Sequence, residues 1–263
     1  MDLGIAGKTA LVTGGARSLG KQDALTLAAE GCRVIVLDLN AEGAAETAKE
    51  IAAGGGTARG YAADITDRGV LAEVMKRAEQ EVGPVDICVN NAGWIYTMGQ
   101  LKDTADEDWD LNLRINLTGT FNVTKAVFPG MRERRWGRVI CMASIAGLMG
   151  GFGQTAYATS KMGVIGFARS VALEGARYNV TSNVIAPGIV GPNANLSPLY
   201  GRMVKRVAMQ REGQPEDIAS AIAFLCSERA RYITGPCSPS PGAWTSSRSN
   251  SSRLEGGDTP CRP

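Results

Sequence analysis

Tyr157 and Lys161 stand one helical turn apart in Q-T-A-Y-A-T-S-K-M-G-V-I-G-F-A, Gln154 to Ala168, among small or apolar neighbours. At i and i+4 the two side chains share a helix face. A free phenol titrates near pH 10 and is a poor base at neutral pH. A fixed ammonium beside it stabilises the phenolate and lowers that value, directly or through a hydroxyl bound between them. The same spacing also occurs on ordinary exposed helices, so the surroundings must decide. The chain holds no histidine. The commonest general base and the commonest transition-metal ligand are therefore missing, and acid–base chemistry has to use other groups.

A second candidate lies near the N-terminus. T-G-G-A-R-S-L-G, Thr13 to Gly20, follows an apolar run and leads into helical spacing. A glycine-rich strand-to-helix turn lets backbone N–H groups approach a pyrophosphate, and the helix N-terminus favours its charge; taken alone it is also an ordinary tight turn. Asp38 ends the next apolar run, about 20 residues beyond the loop, where a carboxylate accepts the ribose hydroxyls of an adenosine and repels a 2′-phosphate. The plainer reading of Asp38 is a solvated acid at a helix start.

Positioning these groups requires alternating elements. Apolar runs at 9–13, 33–38, 60–64, 86–91, 138–144 and 181–188 read as buried parallel strands. The segments 41–53, 68–82, 106–135 and 155–178 carry helical spacing. This alternation predicts an α/β fold of the Rossmann type: right-handed βαβ units in a single-domain, doubly wound parallel sheet with helices on both faces. One domain is expected over 1–235. From 236 to 263 the chain turns Ser- and Pro-rich, with Pro236, Pro239 and Pro241 where a strand would lose donors, and a disordered tail with the last strand missing or altered is expected there.

Composition narrows the function classes. The 28 basic and 26 acidic residues leave a formal charge of +2, too small to draw in nucleic acid or an anionic membrane. No apolar stretch is long enough to span a bilayer and no export signal precedes the first strand. Six scattered cysteines without a C-x-x-C pair suggest neither zinc nor a disulfide framework, and free thiols fit a cytoplasmic chain. No metal site is expected.

T-G-G-A-R-S-L-G, N-N-A-G at Asn90 to Gly93, Asn116, Ser144, Y-A-T-S-K at Tyr157 to Lys161, and P-G at Pro187 and Gly188 stand in the order and approximate spacing of the short-chain dehydrogenase/reductases. The resemblance runs from Gly7 to about Gly235 and is nearest the 3-oxoacyl thioester reductase and hydroxyacyl dehydrogenase branch. It implies Tyr157 as the acid/base, Lys161 as the residue that lowers its pKa and holds the nicotinamide ribose, Ser144 as the hydroxyl that polarises the substrate oxygen, and Asn116 as the anchor of a water in the proton relay. The cofactor contacts it implies are Gly14, Arg17, Ser18, Leu19, Gly20, Asp38, Asp64, Ile65, Asn91, Ala92, Gly93, Pro187, Gly188 and Val190, with Tyr157 and Lys161. Asp38 favours NAD over NADP; Arg17 pulls the other way. The family also implies a homotetramer or dimer built on the two long helices.

Three departures stand out. Ser18 occupies a position where the family has glycine; its side chain narrows the approach to the pyrophosphate, donates to it, or caps the following helix. The I-V-G-P-N that follows Gly188 lacks the family's usual threonine. The ending P-C-S-P-S-P-G-A-W replaces the family's last strand and Gly-Gly turn, and a shifted reading frame would restore a family-like ending.

The expected activity is NAD-dependent interconversion of a secondary alcohol, or a hydroxyacyl thioester, and its ketone. An NADPH-dependent ketoreductase and a catalytically silent nucleotide-binding scaffold are the alternatives. Trp94, Tyr96, Met98, Leu196, Leu199, Tyr200 and Met203 point to an apolar or aromatic small-molecule substrate or are packing and lid residues, and Arg132, Arg134, Arg135 and Arg169 form either a candidate docking face for a phosphopantetheine carrier or coenzyme A or a solvated basic helix face.

Overall fold

The structure, a computed structural model, describes residues 2–94, 98–191, 204–205 and 207–239. In chain order its elements are β1 (Thr9–Thr13), α1 (Ser18–Ala29), β2 (Arg33–Asp38), α2 (Ala41–Ala53), β3 (Thr57–Ala62), α3 (Arg68–Glu81), β4 (Ile87–Asn90), α4 (Asp106–Asn112), α5 (Thr120–Glu133), β5 (Gly137–Met142), α6 (Ile145–Met149), α7 (Thr155–Gly175), β6 (Val180–Ala186), α8 (Pro215–Cys226) and β7 (Cys237–Pro239). Seven parallel strands form one sheet in the order β3-β2-β1-β4-β5-β6-β7. The strand order reverses beside β1, which opens a crevice at the strands' C-terminal ends.

Strand alternation builds two cores. Leu11, Ile35 and Leu37 face one way and pack with Val123, Val127 and Ile165 from α5 and α7. Val12, Val34 and Val36 face the other way and pack with Leu27, Ile218 and Ile222 from α1 and α8. A period of two across strands buried on both faces yields the unbroken apolar runs seen in the sequence. Caps start the helices: the Asn40 side chain accepts from Gly43 N at 3.1 Å, and Asp67 from Gly69 N and Val70 N at 2.9 and 3.0 Å.

Three expectations shift. The third strand occupies Thr57–Ala62 rather than 60–64, because this edge strand exposes alternate residues and lacks an apolar run. The helix expected over 106–135 consists of α4 and α5 joined by a π-helical segment, Leu113–Gly119. The tail is not unstructured from its start, since Cys237–Pro239 pairs in parallel with Val184–Ala186 as β7. Gly235 N donates to Ser182 O at 2.8 Å, and Pro236 contributes only its carbonyl, which accepts from Val184 N at 3.2 Å. A strand at the sheet edge tolerates the missing donors. Beyond residue 239 the expected tail lies outside the described residues.

Candidate active site

The first turn is built around glycines with no room for a side chain. Gly14 has φ +66°, and a Cβ on Gly20 would stand 2.2 Å from Gly14 O. Asn91 Nδ2 donates to Thr13 O and Gly14 O at 3.1 and 3.2 Å, and Thr13 Oγ1 accepts from Asn91 N and Ala92 N at 3.1 and 3.0 Å. The N-N-A-G segment thus locks the glycine turn to β4. Ser18 lies in the left-handed region at φ +51°, and α1 begins without a side-chain cap. The capping role expected for Ser18 does not occur. Its departure from glycine acts on the backbone, because only glycine takes such a φ freely. Leu19 is half-buried behind the turn and Arg17 is exposed.

Asp38 closes the turn from β2. Its Oδ2 accepts from Ala16 N at 3.0 Å and its Oδ1 from Asn40 N at 2.9 Å. The carboxylate is held at the mouth of the glycine loop with lone pairs to spare. Asp64 is exposed and accepts from Thr66 N, whereas Ile65 is buried against Gly119 of the π segment. Pro187 is buried and its carbonyl accepts from Ile145 N at 3.0 Å; Gly188 is exposed, and Val190 bridges to Gly213.

Ser144 follows β5, and Tyr157 and Lys161 face it from α7. Lys161 is buried and donates from Nζ to Met142 O at 2.8 Å, with Nζ 5.8 Å from the centre of the Tyr157 ring. A Cβ on Gly93 would meet both Lys161 Nζ at 3.0 Å and Asn116 Oδ1 at 3.2 Å, so these two side chains flank the Gly93 backbone. A Cβ on Gly147 of α6 would stand 2.9 Å from the Lys161 carbonyl carbon. Backbone must approach these side chains directly, and glycine is what permits it.

Asn116 sits where the helix widens. Its Oδ1 accepts from Trp94 N at 2.6 Å, and its Nδ2 donates to Trp94 O at 2.9 Å and to Ser160 Oγ at 3.0 Å. Its side-chain amide clamps the backbone of the loop after β4. The π segment is the local feature that turns Asn116 inward.

Burial lowers the Lys161 ammonium to about 8. Tyr157 is raised from its ordinary value, first by burial, with the nearby Ser144 hydroxyl pulling it down. Lys161 does not lower Tyr157 within the chain itself, because its Nζ is turned to the Met142 carbonyl and burial outweighs a cation at ring-centre distance.

Trp94 and Ser160 were missed as contributors, and Thr13 was given no role. Thr13 and Ser160 lie inside the motifs that marked the site, so their polarity within apolar runs was the available signal. The Trp94 share of the Asn116 clamp comes from its backbone N–H and carbonyl, which no residue type announces. Tyr96, Leu196, Leu199, Tyr200 and Met203 lie outside the described residues. Arg132, Arg134 and Arg135 gather at the opposite end of β5, where they bond Tyr178 Oη, Val85 O and Arg177 O, and Arg169 is exposed on α7. The length of β5, about 20 Å, separates that group from Ser144.

Comparison with known proteins agrees with this geometry. A family model described as short chain dehydrogenase matches residues 8–197. The 3-oxoacyl-(acyl-carrier-protein) reductase FabG of Thermotoga maritima is 38% identical over 88% of this chain and 95% of its own. The (2S)-((R)-hydroxy(phenyl)methyl)succinyl-CoA dehydrogenase subunit BbsD of Thauera aromatica is 36% identical over 89% of this chain and 94% of its own. A crystal structure titled gox2181 superposes with a TM-score of 0.88 at 30% identity, covering 91% of this chain and 96% of that one.

Proposed function

The chain belongs to the short-chain dehydrogenases, and on that premise we propose that it is an NAD(H)-dependent oxidoreductase interconverting a secondary alcohol, in particular a 3-hydroxyacyl thioester, and the ketone. The observation that carries this reading is the convergence of Ser144, Tyr157 and Lys161 at the end of β5, beside the glycine turn and the Asp38 carboxylate. The names of the reductase and dehydrogenase relatives support the thioester class.

The residues present fit a dinucleotide. The Gly14–Gly20 turn leads into the N-terminus of α1, Asp38 is fixed at its mouth, and Lys161 is a buried cation that no described carboxylate pairs. When bound, the nicotinamide supplies or accepts the hydride. Gly14 to Gly20 and the start of α1 hold the pyrophosphate, Asp38 the adenosine ribose and Lys161 the nicotinamide ribose. Ser144 donates a hydrogen bond to the substrate oxygen, and Tyr157 gives that oxygen its proton during reduction or takes it during oxidation. The raised Tyr157 keeps the phenol protonated at neutral pH, the form that reduction requires. Asn116 keeps Trp94 and its loop in register beside them.

Asp38 and Glu42 make the β2–α2 turn acidic, and no lysine or arginine stands between them. This favours NAD. The exposed Arg17 guanidinium, which pairs with no described carboxylate, favours the second reading, an NADPH-dependent ketoreductase. Titration with both reduced nucleotides separates the two: wild type should prefer NADH, and Asp38→Ala should reduce that preference at least about tenfold. Tyr157→Phe should lose about three orders of magnitude in kcat while retaining nucleotide binding; retained turnover would sink the assignment and leave a scaffold. We place the enzyme in the cytoplasm, in keeping with its buried free thiols. Exposed Phe121, Met162 and Leu173 on α5 and α7 support a homotetramer or dimer, which light scattering would test.

A further inference from the structure

Two loops beside the catalytic groups carry large apolar side chains that nothing described covers. Met98 and Leu101 lie on one; Leu148, Met149 and Phe152 lie on the other, with Phe152 86% exposed. The loops meet: Gly99 N donates to Gly153 O at 3.0 Å, and a Cβ on Gly153 would touch Gly99 backbone at 3.4 Å. Both are anchored to the reacting groups. The helix α6 starts from Ser144 and packs through Gly147 on Lys161, and Gln154 O accepts from Ala158 N, next to Tyr157, at 2.7 Å. Gly150 and Gly153, at φ +76° and +74°, set the loop that holds Phe152 outward.

Such a cluster of exposed apolar residues is uncommon on a soluble protein and marks a binding surface. Its chemistry selects the ligand. No charged residue occurs from Ile145 to Ser160, and the Lys102 ammonium on the other loop is already paired with Asp103 at 3.2 Å. Among the described residues of these two segments a phosphate or carboxylate finds no free cation, whereas a hydrocarbon would cover surface that water now wets.

We propose that Met98, Leu101, Met149 and Phe152 form a specificity rim for an uncharged hydrocarbon substituent, alkyl or aryl, carried by the carbonyl or alcohol that Tyr157 and Ser144 engage. This rests on the reading of Tyr157 as the acid/base. The substrate is therefore a large apolar ketone or acyl thioester rather than a short or polar one. The test compares 3-oxobutanoyl and 3-oxododecanoyl thioesters of N-acetylcysteamine, in wild type and in Phe152→Ser and Met149→Ser.

Wild type should favour the long substrate in kcat/KM, and each variant should cut the long-to-short ratio roughly tenfold. Calorimetry with unreactive dodecanoyl and acetyl thioesters reads the rim without turnover, and dodecanoyl binding should weaken by a similar factor. An unchanged ratio together with unchanged dodecanoyl binding overturns the rim. So does loss of self-association with the ratio intact, which would make the patch an interface between copies. If no thioester is turned over by wild type, the reaction assignment fails, while the calorimetric comparison still decides the rim.

Discussion

Strand β5 has a buried cation at each end, and the fold treats them oppositely. At its start Arg138 is fully enclosed. It donates to Glu228 Oε1 at 3.0 Å and to Gly137 O and Asn179 O at 2.8 and 3.1 Å, and it stacks 4.3 Å from the Trp136 ring centre. Trp136 Nε1 donates to the same Glu228 oxygen at 2.6 Å. At its end Lys161 has one carbonyl, Met142 O, and no described carboxylate. A guanidinium cannot shed its proton, so enclosing it requires a counter-charge. An ammonium can, and burial has brought this one to about 8. The chain completes its electrostatics where it needs rigidity and leaves them incomplete where a ligand is to finish them.

The largest effect should come from separating these roles. Lys161→Met should lower kcat/KM by about a thousandfold without lowering stability, because it removes a buried, uncompensated charge. The pH dependence sharpens this. The folded value of Lys161 lies below the unfolded one, so the unfolded chain binds more protons between about 8 and the ordinary lysine value, and stability should rise with pH across that window. Urea denaturation from pH 7.5 to 10 should show that rise in wild type and lose it in the variant. A Lys161→Met protein that unfolds more easily would mean the cation is structural, like Arg138.

Most of this contrast could not be read from residue types. The strands and the helix 41–53 were legible because apolar periodicity reports burial, and the motifs located Ser144, Tyr157 and Lys161. The π-helical break at Asn116 was not, since Leu113 to Gly119 keeps an ordinary helical pattern. Nor was the direction of the Tyr157 shift: spacing puts Lys161 on the same face, but whether its Nζ reaches the phenol or the Met142 carbonyl is a rotamer decision made by packing. Short β7 was hidden by prolines that edge position excuses. The ion pair of Arg138 was not legible either, because its partner lies 90 residues later.

A third enclosed group belongs to neither end. Asp23 on α1 is fully buried, with no hydrogen-bond partner for either oxygen among the described residues, and burial pushes it up to about 8. Cys226 on α8 is raised first by burial, with Cys32 and, to a lesser degree, Asp23 adding to the shift. Here the folded chain binds more protons than the unfolded one from about pH 4 to 8, so stability should fall as pH rises through that range. Asp23→Asn, which mimics the protonated acid, should gain on wild type by about 1.4 kcal/mol per pH unit, reaching about 3 kcal/mol between pH 5 and 7. A constant difference between the two proteins would show that Asp23 has found a partner.

A smaller loss is expected at the completed end. Glu228→Gln keeps the hydrogen-bonding shape and removes the counter-charge of Arg138. Because Glu228 is 40% exposed, water compensates in part, and the loss should be about 2 kcal/mol rather than the 3–5 of a fully buried pair. Turnover should hold, since β5 separates the site from this pair. A parallel fall in kcat would mean that the ends of β5 are coupled.

The smallest effect concerns the backbone. Ser18 holds a left-handed conformation that costs a non-glycine residue about 1–2 kcal/mol. Ser18→Gly relieves it, and the glycine's extra freedom in the unfolded chain offsets about half. A net gain of about 0.5–1 kcal/mol should raise Tm by about 2 °C in the nucleotide-free protein, whereas Ser18→Ala, which keeps the Cβ, should not. If the two variants melt together, the turn carries no strain, and the incompleteness of the functional end is electrostatic alone.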